Sequence, residues 1–147
     1  VTDYPVDFFW GVHELKAGII IPTPELQDKI IDVIANGKNK TLHNANYSLV
    51  ANPYNAKYQN CTEHTLDIIN AAIYQTTDIR QLKANTQAYF EAQPVHVSRF
   101  KLSMGSLFSD GVSLKDHKGK VVTTSFGSIA NYLEKYDLSS SKYIFKS

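Results

Sequence analysis

The sequence predicts an α+β domain in which helices pack on a small antiparallel sheet. Three observations carry this reading. Capped stretches with apolar residues at helical spacing fill the first part of the chain, and short β-branched or alternating runs broken by glycine follow them. At 147 residues and 43% hydrophobic composition, with no shift in composition along its length, residues 1–147 form a single domain around one core.

Taken in order, Tyr4, Phe8, Phe9 and Trp10 crowd four aromatics into seven positions, which reads as a short helical turn pressed into the core. Residues 15–21 form a β-branched run ended by Pro22, by length and composition a fully buried strand. Thr23 caps a helix with Pro24 at its first position and Glu25 in its first turn, and Asn36-Gly37 stops it. From 38 to 59 the chain is polar and irregular, rich in Asn and Tyr. Tyr47, Leu49, Val50 and Tyr54 make it too apolar for a loose linker, so it reads as an ordered loop lining one side of a cleft. Asn60 then caps a helix to Tyr74 whose apolar face carries Leu66, Ile68, Ile69, Ala72 and Ile73. Asp78 caps another helix, with Pro94 beyond its end. The alternation over 95–102 predicts a half-exposed strand, and 112–114 with 121–126 predicts a hairpin around Lys118-Gly119. Ser125 or Ser128 opens a last helix, and Tyr143-Ile144-Phe145 reads as a terminal strand.

Composition excludes several function classes. A net charge of +1 with interspersed signs gives no basic stripe for nucleic acid. The longest apolar run, Ala17 to Ile21, is too short to span a bilayer. No phosphate-binding glycine loop, nucleophile elbow or dinucleotide fingerprint is present, so no cofactor is expected. A sequence that opens at Val1, with Met104 as its only methionine, is what a processed or truncated product would carry. An upstream segment of the same precursor is therefore an expected partner.

Chemistry centres on Tyr58-Gln59-Asn60-Cys61-Thr62-Glu63-His64. Cys61 is the sole cysteine, which rules out an internal disulfide, and it falls in the first turn of a helix. In general, such a position favours the nucleophilic thiolate. A lone cysteine is also a common small core residue, but these neighbours are polar. A nucleophilic cysteine needs a base within hydrogen-bond reach. Of the five histidines, His64 shares a helix with Cys61, where two neighbours seldom face each other. His117, 56 residues on and beside Asp116, fits the base role better, with Asp116, Thr123 or Ser125 as the orienting group. A solvated turn histidine among Lys115, Lys118 and Lys120 is the plain alternative. Cys61-x-x-His64 has ligand-like spacing, but structural zinc needs four ligands and no second such pair exists, so no metal is expected.

Several blocks together resemble the bacterial domain-of-unknown-function 2145 family: Asp7-Phe8-Phe9, the run from Ala17 through Pro22-Thr23-Pro24 to Gln27, Tyr47 to Pro53, Tyr58-Gln59-Asn60-Cys61 and Asp116-His117. That family is similar to the NlpC-type, papain-like superfamily of cell-wall amidases and peptidases. The resemblance implies a papain-like fold, a periplasmic or secreted location and Cys61 as nucleophile. It also implies an upstream segment with a histidine on a strand. In a permuted order, with histidine before cysteine, that residue and not His117 would be the base. The expectation is an exported papain-like cysteine hydrolase acting on an amide bond, with cell-wall peptide as substrate. The alternative is a non-catalytic exported binding or structural domain that recognises a partner or glycan through its Tyr- and Asn-rich loop.

Overall fold

The computed structural model describes residues 16–98 and 111–146. The expected aromatic turn at 4–10, His13 and the second half of the strand expected at 95–102 lie outside them. Among the described residues, the elements run β1 (Lys16–Pro22), α1 (Pro24–Ala35), α2 (Lys38–Thr41), α3 (Cys61–Tyr74), α4 (Ile79–Tyr89), β2 (Gln93–Pro94), β3 (Val122–Thr123), α5 (Phe126–Lys135) and β4 (Ser139–Lys146). The domain is α+β, with two small antiparallel sheets, β1–β4 and β2–β3.

The helices begin where side-chain caps were legible. The Thr23 hydroxyl, the Asn60 and Asp78 side-chain oxygens and the Ser125 hydroxyl each accept a backbone N–H of the following turn. At α5 the cap is reciprocal, because Ser128 returns a bond to Ser125. The core forms where α1 packs on α3, and α3 on α4, around Leu26, Val33, Leu66, Ile69, Leu82 and Leu133. A string of buried polar groups ties three helices together. Tyr132 donates to Asn70 Oδ1 (3.1 Å), and Asn70 donates to Thr86 Oγ1 (3.0 Å). Burial, and next the neighbouring Tyr74 hydroxyl, push the Tyr132 phenol above its ordinary range, so it stays a donor.

Two strand expectations are corrected. β1 is not fully buried: among the described residues it pairs with β4 alone, in register from Lys16↔Lys146 to Ile21↔Ser141, and Ile19 and Ile21 are exposed. A two-stranded ribbon lacks the neighbours that would bury such a run. The hairpin at 112–126 does not form either. Residues 111–117 instead lie along the 48–55 loop: Leu49 N–H donates to the Gly111 carbonyl, and Ser113 exchanges bonds with the Ser48 hydroxyl. β3 is left to pair with Gln93–Pro94, and Val95–Ser98 forms no strand. In α1, Ile31 and Ile34 are exposed, while Leu26 and Val33 are buried in the core and Ile30 packs against it.

Candidate functional site

Cys61 is the first residue of α3, and its side chain is exposed. What fixes it is Asn60, which is itself buried. Its Oδ1 accepts from Glu63 N–H (2.8 Å), while its Nδ2 donates to the Leu49 carbonyl (2.9 Å) and Thr123 Oγ1 (3.1 Å). One side chain thus starts the helix, holds the incoming loop and fastens β3 alongside. The thiol has only a loose contact with Thr62 Oγ1, at 3.9 Å. Among the described residues, no hydrogen bond joins it to an imidazole.

His117 stands on the other flank of β3. Its Nε2 lies 2.9 Å from the Val122 carbonyl, which can only accept, so Nε2 carries a proton. Its Nδ1 sits 2.8 Å from Asp116 Oδ1 without the geometry of a hydrogen bond. Asp116 is fixed in turn, its Oδ2 accepting from Asn52 N–H (2.7 Å) and its carbonyl from the Asn52 and Asn55 amides. The imidazole is 2% exposed, which overturns the solvated-turn expectation. The adjacent Asp116 can reach it because the chain turns here; the opposite-face rule holds only in a strand. Thr123 and Ser125, the other orienting candidates, are engaged with Asn60 and with the α5 cap. Thus Asn60, next to Cys61, and His117 both bond to β3, yet both His117 nitrogens face acceptors. His64, one turn after Cys61, meets His43 edge-to-face at 6.0 Å, and its Nδ1 is buried without a partner.

A second cluster lies at the α3–α4 contact, and the sequence reading missed it. Lys83 Nζ reaches Glu63 Oε1 (2.7 Å) and both oxygens of Asp67 (2.8 and 3.0 Å). Gln59 Nε2 donates to Asp67 Oδ2 and to the Leu42 carbonyl. Both carboxylate side chains are fully buried. Among the described residues, Glu63 Oε2 has no hydrogen-bond partner. Burial above all pushes the Glu63 carboxyl up to about 8; Lys83 opposes the shift, and Asp67 and Asp116 add to it. The available signal was two acids four residues apart on an otherwise apolar helix face. These side chains border a cavity of about 330 Å³ whose other wall includes Asn44, Asn46 and Tyr58. The loop therefore lines a cleft, as its composition suggested. Among the described residues, no group of three or more His, Cys, Asp or Glu could hold a metal ion, and no helix is long and apolar enough to cross a membrane.

A family model described as an uncharacterized protein conserved in bacteria, DUF2145, matches residues 1–133. The chain belongs to the DUF2145 family. The matched span of this DUF2145 chain takes in Cys61, His117 and the Glu63–Asp67–Lys83 cluster and ends within α5, so β4 lies beyond it. No curated protein and no solved structure matches the chain.

Proposed function

We propose that this DUF2145 protein is an exported papain-like cysteine hydrolase that cleaves an amide bond, with cell-wall peptide as the substrate class and Cys61 as nucleophile. The observation that supports it is an exposed thiol on the first residue of a 14-residue helix whose cap, Asn60, is fastened to β3. The thiolate sulfur attacks the carbonyl carbon, and the negative oxygen is received by the Cys61 N–H at the helix start. The thiol proton passes through an imidazole to the leaving amine, and water then releases the acid from the thioester. With both His117 nitrogens facing acceptors, the permuted order is the better reading: the base is a histidine that precedes Cys61, and His117 braces β3. Peptidoglycan digests analysed by mass spectrometry test this. C61S should abolish amide cleavage, whereas H117Q should lower stability and spare the turnover of folded protein. Unchanged cleavage by C61S would rule out the thiol, and loss of turnover by a fully folded H117Q would return the base role to His117.

A second reading, a non-catalytic exported binding domain, is supported by the cavity against the Asn- and Tyr-rich loop. Alkylation by iodoacetamide across pH separates the two. A nucleophile reacts well below the ordinary thiol pKa of about 8.5, and an unactivated thiol does not.

A further inference from the structure

We propose that the cavity between the 41–46 segment and the α3–α4 contact binds a small organic cation, a primary ammonium or amidinium, whose N–H groups are received by Glu63 Oε2. This gives a ligand class to the binding reading and does not depend on the nucleophilicity of Cys61. The inference comes from accounting for the buried side-chain acceptors of Gln59, Glu63 and Asp67 in the wall. Asp67 Oδ1 accepts from Lys83, and Asp67 Oδ2 from Lys83 and Gln59. Gln59 Oε1 accepts from Asn44 N–H (2.9 Å). Glu63 Oε1 accepts from Lys83. Of these acceptors, and among the described residues, Glu63 Oε2 is the one without a partner, on a side chain with no exposure that borders the cavity.

A buried carboxyl oxygen without a partner costs about 1–3 kcal/mol or more, so a ligand that supplies a donor is favoured there. Charge points the same way. Burial keeps Glu63 protonated below about pH 8, so a cation binds by displacing that proton: with both acids ionised, two carboxylates face one ammonium and the cluster is one positive charge short. An anion would meet the wrong sign. A neutral donor would satisfy the oxygen and leave the charge uncompensated. Lys83 occupies Oε1, so a second cation can be received only at Oε2. At about 330 Å³ the cavity is at the small end of ligand sites and admits a compact amine.

The test uses n-butylammonium, and n-butanol as its neutral counterpart of similar size, titrated into the full chain at about pH 8.5, where Glu63 is largely ionised and the amine still protonated, and followed by amide NMR shifts. Saturable shifts at Asn44, Asn46 and Lys83 are expected with the amine and none with the alcohol. Glu63→Gln should weaken amine binding at least tenfold. Because that change touches the buried cluster, Ala45→Trp, at an exposed position in the cavity wall, provides a second arm. It should block the amine without lowering the melting temperature. C61S should bind like the parent, which separates this site from the hydrolase reading. Equal shifts with the alcohol, undiminished binding by E63Q or no saturable shift with the amine would each overturn the proposal.

Discussion

Replacing Glu63 by Gln should remove a pH dependence of stability that the parent protein shows. In the folded chain the carboxyl is held at about 8, against an ordinary 4.5. An acid whose folded pKa is raised binds a proton in the native state that the unfolded chain has already released. Stability is therefore greatest below about 4.5, as far as this group is concerned, and falls as pH rises through about 8. At about 1.36 kcal/mol per pKa unit, the loss across that window is roughly 3–5 kcal/mol. At pH 5.5 the protonated acid and the amide are near-isosteres and Oε1 still accepts from Lys83, so the Gln variant should lead only by what ionisation of the unfolded parent has already removed, about 1.4 kcal/mol. At pH 9 the Gln variant should be the more stable, by roughly 3–5 kcal/mol. Urea unfolding followed by circular dichroism at pH 5.5, 7 and 9 measures this. Taking the difference between the proteins cancels every contribution common to both. Parallel curves at all three pH values would refute the assignment of a raised carboxyl to Glu63.

Other substitutions examine neighbouring features. Lys83→Met leaves two buried carboxyls without their shared ammonium and should cost roughly 3–5 kcal/mol at pH 7.5, read from the urea midpoint. Tyr132→Phe removes the donor to Asn70 Oδ1 and should cost about 1–2 kcal/mol by the same assay, with no change in the denaturant slope. Ser125→Ala breaks the reciprocal cap of α5 and should cost about 1 kcal/mol, seen as a lower melting temperature.

How much of this was legible in the sequence follows the range of each interaction. Thr23, Asn60, Asp78 and Ser125 start their helices through bonds to the next turn, so the residues that decide the outcome are adjacent in the chain. Strand pairing has no such locality. Val122–Thr123 chooses Gln93–Pro94 because Ser48 and Leu49 have already taken up Gly111 and Ser113, and no local pattern announces that. The exposed helix-start thiol was readable for the same reason as the caps. The buried state of His117 was not, since the groups holding it come from Asn52, Asn55 and Val122 as well as its neighbour Asp116. Glu63, Asp67 and Lys83 each look like surface residues in isolation; only the α3–α4 contact turns them inward.

The partnership of Lys16 with Lys146 means that the first described strand must wait for the last. As the chain leaves the ribosome, Ile19, Ile20 and Ile21 emerge early, while Ser141, Lys142 and Tyr143, which they will meet, are still unmade. Closing a loop that long comes late and adds little until both ends are present. Throughout that interval a short greasy ribbon is open to chance partners, and any factor that shepherds the newborn polypeptide has its natural handhold there.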